Sequence, residues 1–137
     1  MARSCVLCHP IDEQVLWEDS HARVILVPEP GFRGFTRVIW KAHVDEMTEL
    51  APTDRNHVMQ IVFAIEALQR SAFQPAKINL ASLGNHVPHL HWHVIPRFED
   101  DPCWPDSVWS PAHRAPVERE LDLETYSDAL SKVLDVV

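Results

Sequence analysis

His89-Leu90-His91-Trp92-His93-Val94-Ile95 sets three histidines in alternation with apolar residues, and Pro88 and Pro96 stand just outside. Alternation with period two is the pattern of a strand with one polar and one apolar face. On such a strand His89, His91 and His93 share a face, with neighbours about 6.6 Å apart at about 3.3 Å per residue. Leu90, Trp92 and Val94 point the other way, toward a core. On a helix the three imidazoles would fan out. A row of imidazoles on a rigid strand is either a metal site or a place where an imidazole does chemistry.

Working outward, Lys77 to Leu83 reads as a strand that enters a turn containing Gly84, Asn85 and Pro88. The backbone amides of a tight Gly-Asn turn form a concavity suited to an anion. A phosphate there would sit beside the imidazoles, which favours phosphate chemistry over a bare metal site. Upstream, a helix begins after Pro52, with Thr53 as the expected N-cap and Asp54 suited to the positive helix start. Val58, Ile61, Val62, Ile65 and Leu68 give it one apolar stripe. Arg70 suits its end, and Pro75 prevents continuation. Further upstream, residues 14–19 and 22–28 read as strands around a turn at Ser20-His21. Residues 28–34 are loop, Thr36 to Lys41 a third strand, and residues 44–50 a short helical piece.

After Arg97 the character changes. Five of the eleven prolines fall between Pro96 and Pro116, so this segment is irregular, yet Trp104 and Trp109 require something to pack on. Tyr126, Leu130, Val133 and Leu134 suggest a C-terminal helix. No internal repeat is visible. The expected fold is α+β: an antiparallel sheet of about five strands, one long helix and a C-terminal helix. It forms one domain over residues 1–137, with its core at about 5–105 and a Pro/Trp-rich segment and helix over 97–137.

Composition bounds the function. At 137 residues with 46% hydrophobic residues, the chain can bury a core of its own. The net charge of −8 and the lack of a Lys/Arg run argue against nucleic-acid binding. No apolar run of about 18 residues exists, so no membrane span is expected. The first eight residues are too short and polar for a secretory signal. Three cysteines with a short CxxC indicate a reducing compartment, and the cytoplasm is the expected location.

The motif His-φ-His-φ-His-φ-φ, with φ apolar, resembles the signature of the histidine triad (HIT) nucleotide hydrolases and transferases. The resemblance extends to Asn79, Gly84 and Asn85, to Arg37-Val-Ile-Trp-Lys-Ala-His43, and to Cys5-x-x-Cys8. It implies that His91 is the nucleophile, forming a covalent nucleotidyl-histidine. It implies that His93 contacts the phosphoryl oxygens, that His89 supports the row, and that His43 joins the network. Asn79, Gly84, Asn85 and position 86 fall in the phosphate-contacting stretch. Family members often carry a small hydroxyl residue at that last position, where this chain has His86. Glu29 is a candidate for the ribose hydroxyls. Implied substrates are dinucleoside polyphosphates, nucleoside phosphoramidates and adenylylated small molecules. No cofactor is needed for the chemistry, and the implied assembly is a homodimer. The rival readings are a non-catalytic nucleotide-binding module and a metal-dependent hydrolase.

Cys5 and Cys8 have zinc-ligand spacing but supply only two ligands. The resemblance completes a structural zinc site with His43 and His89; His9 is a neighbouring rival, and ordinary reduced cysteines are the alternative. Cys103 reads as a packing residue. His21, His57 and His113 read as surface groups. Trp104 reads as core or dimer packing, with the leaving-group pocket as its other reading.

Overall fold

The computed structural model describes residues 5–137. Five strands form one antiparallel sheet: β1 (Gln14–Glu18), β2 (Ala22–Leu26), β3 (Thr36–Trp40), β4 (Lys77–Ala81) and β5 (His91–Arg97). Their spatial order is β1-β2-β3-β5-β4, which places the motif strand β5 inside the sheet. Two helices, α1 (Pro52–Phe73) and α2 (Leu123–Leu134), pack together on one face. A short 3-10 turn spans Met47–Glu49. The architecture is the expected α+β arrangement.

The helix-covered face carries the main core. Val24, Val38 and Val94 from the strands meet Val58, Ile61, Val62 and Ile65 of α1 and Tyr126, Leu130 and Leu134 of α2. Leu90 is buried in this core and Trp92 packs against it, as the alternation predicts. The opposite face carries smaller clusters, Cys5–Leu7–Ile25–Ile39 and Phe32–Phe35–Ile95–Cys103. Cys103 is therefore a packing residue.

Four local expectations are corrected. Helix α1 starts with Pro52 in its first turn and Ala51 at the N-cap, not with Thr53. Proline fits there because its missing N–H would find no partner in any case. Its buried stripe runs on through Gln69 and Phe73, while Leu68 is only partly buried. Gln69 is buried with the two N–H groups of Nε2 shared among the Gly34 and Val94 carbonyls and the Tyr126 hydroxyl, while its Oε1 is buried without a partner. On α2, Val133 is 39% exposed rather than part of the stripe.

The fourth correction concerns β5. It runs from His91, not His89, and it includes Pro96. Pairing with β3 begins at Ile39↔His91 and stops at Thr36↔Val94. Beyond Val94 only β4 lies beside β5, with Ile78 opposite Pro96. A residue that cannot donate is acceptable where one side of the strand is open. Gly34, at φ +84°, closes the loop into β3; a Cβ there would meet the Phe73 ring at 2.9 Å and Pro96 at 3.0 Å.

Candidate active site and metal centre

His91 and His93 leave β5 on the face away from the helices. Their rings meet edge-on, with centroids 4.9 Å apart. The His91 Nδ1 lies 2.5 Å from the His89 carbonyl oxygen. Nδ1–H therefore donates there, and Nε2 carries the free lone pair. His93 is wedged edge-on against Phe35 at 5.6 Å and Trp109 at 5.0 Å. Burial pushes its imidazole down to about 3, and the positive charges of Arg37 and any protonated His91 add to this. Burial lowers His91 as well, against the opposing hydrogen bond to His89. Both rings are neutral near pH 7, the form in which imidazole is a nucleophile.

The four histidines assigned to one network separate into two pairs. His89, just outside the strand, turns toward the N-terminal segment and His43. Its Nε2 is 2.6 Å from the Trp40 carbonyl oxygen, so Nε2–H donates there and Nδ1 presents a lone pair. That Nδ1 lies 3.4 Å from Cys5 Sγ, 3.4 Å from Cys8 Sγ and 3.1 Å from His43 Nδ1. Cys8 Sγ lies 3.2 Å from His43 Nδ1. Tetrahedral zinc, with bonds of about 2.3 Å to sulfur and about 2.0–2.1 Å to nitrogen, sets its ligands about 3.3–3.8 Å apart. The observed spacings fall within a few tenths of an ångström of that range. Two imidazole nitrogens and two thiol sulfurs, all within 4.8 Å of one another, form a donor set of the kind that zinc takes. The Trp40 carbonyl is the kind of outer partner that orients a ligating histidine. His9 is exposed and lies outside this group.

Of the stretch that the resemblance assigns to phosphate contacts, Gly84, Asn85 and His86 lie in a loop and Asn79 on β4. Gly84 has φ +84°, and Asn85 and His86 are exposed. The Ser82 hydroxyl donates to the His91 carbonyl at 2.7 Å, which ties the loop to the strand. Asn79 lies on β4 opposite Ile95, on the same face as His93. Its Oδ1 accepts from Arg97 Nη1 at 2.8 Å, so its amide N–H groups are what it can offer a ligand. Glu29 is exposed on the loop between β2 and β3.

Several side residues also find their places. His57 is not a free surface group: its Nε2 donates to Asp19 Oδ2 at 2.6 Å, tying α1 to the β1–β2 turn. Asp19 Oδ1 meanwhile accepts from the His21 and Ala22 amides. His21 is exposed and stacks on Trp40 at 5.4 Å. His113 is exposed and meets Asp106. Trp104 packs against the Arg97 guanidinium.

Three further residues around β5 are not read as site residues from the sequence. Trp109, 51% exposed, abuts His93. Arg97 is buried and held by Asp101, which anchors the segment after β5. Arg37 stands opposite His93 across the β3–β5 ladder. The available signal for Arg37 was a lone charge directly before the apolar run Val38-Ile39-Trp40. Beside it, a cleft of about 640 Å³ opens between the N-terminal segment and β2, lined by Leu7, His9, Ile25, Val27 and Arg37 among others.

The HIT domain family model matches residues 9–100. The chain belongs to the HIT family. A HIT-like protein of Methanocaldococcus jannaschii is 31% identical, over 71% of this chain and 81% of its own. The bis(5'-nucleosyl)-tetraphosphatase of Schizosaccharomyces pombe is 24% identical, over 74% of this chain and 58% of its own. Among solved structures, a histidine triad protein from Marinobacter aquaeolei superposes with a TM-score of 0.72 at 27% identity, covering 91% of this chain and 90% of that one. A zinc-bound HIT family protein from Mycobacterium smegmatis gives a TM-score of 0.63 at 24% identity, covering 99% and 96%. The HIT fold is thus shared along nearly the whole chain. Among the described residues, no helix is long and apolar enough to cross a membrane.

Proposed function

We propose that this HIT protein is a hydrolase or transferase acting at the α-phosphate of nucleotide conjugates. The substrate classes are dinucleoside polyphosphates, nucleoside phosphoramidates and adenylylated compounds. The observation that carries the reading is the His91 Nδ1 contact with the His89 carbonyl. It leaves Nε2 as the attacking nitrogen on a rigid strand. His91 Nε2 displaces the leaving group from phosphorus and forms a nucleotidyl-histidine. Water or an acceptor then displaces His91. His93 contacts the phosphoryl oxygens, and the Gly84-Asn85-His86 loop and the Asn79 amide supply further donors to the in-line transition state. Glu29 holds ribose hydroxyls. The relation to a bis(5'-nucleosyl)-tetraphosphatase supports this class of substrate.

Cys5, Cys8, His43 and His89 would hold a structural zinc, a reading supported by their donor spacings and by the zinc-bound structural relative. Such an ion ties the N-terminal segment to the strand that carries His91 and takes no part in bond breaking. Turnover of a panel of nucleotide conjugates, with mass spectrometry of the quenched protein, tests the function. A nucleotidyl adduct on His91 is expected. Absence of turnover on every class would overturn the proposal.

A further inference from the structure

Two arginines rise from the sheet face that bears His91 and His93, and their surroundings differ. Arg23 on β2 is paired with a carboxylate: Nε and Nη2 donate to the two Glu13 oxygens at 2.7 and 2.9 Å, and Nη2 also to the Leu7 carbonyl at 2.8 Å. Arg37 on β3 has no such partner. Its Nε is buried without a hydrogen bond, and no salt bridge joins it to a carboxylate among the described residues. Glu13, one of the two acids whose charge it feels, is already committed to Arg23; the other, Glu29, is exposed on its loop. Phe35 offers only a distant ring, 6.0 Å from the guanidinium carbon.

A buried N–H with no acceptor is costly, and more so on a charged group. Such an arrangement fits a group whose acceptor arrives with a ligand. Arg37 lines the cleft beside β2 and stands between Ile25 and His93 in the sheet. Residues directly opposite in a ladder project from the same face about 4.5–5.5 Å apart. Arg37 therefore bridges the apolar cleft and the histidine pair. The neutral His93 ring cannot itself supply positive charge to a phosphoryl group. The planar guanidinium fork matches two phosphoryl oxygens at once.

We propose that Arg37 binds the phosphoryl oxygens of the nucleotide and makes the site select phosphate esters over the uncharged nucleoside. This rests on the nucleotide reading above and adds its electrostatic component.

The test is calorimetric titration of wild type, Arg37→Gln and Arg37→Lys with adenosine monophosphate and with adenosine. Arg37→Gln should weaken the monophosphate about 10- to 100-fold, the range for a charge-assisted hydrogen bond, and leave adenosine unchanged. Arg37→Lys should recover part of the loss, since it restores charge without the fork. Should Arg37→Gln fail to fold, the lysine variant gives the same comparison with a smaller deficit. Equal monophosphate affinity in all three proteins would overturn the role of Arg37 while leaving the proposed function standing. Equal loss of both ligands would reduce Arg37 to a structural role. A wild type that binds neither ligand would overturn both readings.

Discussion

The His91 ring is fixed by the backbone of His89: Nδ1 lies 2.5 Å from the His89 carbonyl oxygen. The side chain of that same His89 faces Cys5, Cys8 and His43. One residue thus joins the candidate metal centre to the candidate nucleophile, through its imidazole on one side and its carbonyl on the other.

His91→Ala should lower turnover of nucleotide conjugates by several orders of magnitude, because no other neutral imidazole holds that place. The melting temperature should change little, since the ring makes one hydrogen bond outside the main core. Steady-state kinetics with a thermal melt checks both. Near-normal turnover would remove His91 from the mechanism.

Zinc content should be about one per chain, and Cys5→Ala with Cys8→Ala should release it, because thiolates are half of a four-ligand site. Metal binding energy is folding energy in such sites, so the melting temperature should fall. The chemical step should suffer less, being linked to the site only through the His89 carbonyl. Elemental analysis together with single-turnover kinetics reads both effects. Wild-type protein purified zinc-free from zinc-replete medium would refute the site.

Stability should fall on acidification through two depressed groups. His93 sits at about 3 in the fold, against about 6.5 in an unfolded chain. Its contribution is complete above about pH 6.5 and is lost as pH falls toward 3. For Asp101, burial raises the carboxyl, but the hydrogen bond and charge of Arg97 outweigh it and leave it below its usual value. That contribution is lost as pH falls below the ordinary carboxylate range. Denaturant titrations from pH 7 to 3 should show a steady loss, and NMR should find His93 neutral at pH 5. In Arg37→Gln the His93 pKa should rise, because one of its depressing charges is gone.

Tyr126→Phe should destabilise by about 1–3 kcal/mol, the usual cost of stranding buried polar partners. The Tyr126 hydroxyl lies 2.7 Å from Thr36 Oγ1 and accepts from Gln69 Nε2 at 3.1 Å. Burial pushes its phenol up to about 12, so it stays protonated. A chemical-denaturation midpoint unchanged from wild type would show the network to be dispensable.

A homodimer is expected in solution. β4 is an edge strand of the sheet that must be paired or covered, and Phe63, Leu83 and Trp109 are all more than half exposed. A two-fold contact is the commonest way to cover such surface. Light scattering coupled to size exclusion should give about twice the chain mass of 15.7 kDa. The single-chain mass at micromolar concentration would contradict it.

Period alone was enough to set out the α+β order of elements. Alternation in Leu90, Trp92 and Val94 and the helical spacing of Val58, Ile61, Val62 and Ile65 report burial directly, because each face of an element meets one environment. The histidine motif likewise picked out the strand that carries the candidate site. Partnership was decided only by the tertiary structure. The family resemblance groups His89 with Cys5, Cys8 and His43, but alternation alone puts it on the strand, and only the fold turns its ring away from His91 toward the two cysteines. The sequence does not tell Arg37 from Arg23 either: both are single charges in apolar strands, and only the position of Glu13 leaves one neutralised and the other open. Gln69 and Pro96 broke local expectation for the same reason. Hydrogen bonds from distant segments, and the point at which a neighbouring strand stops, override what a residue prefers by itself.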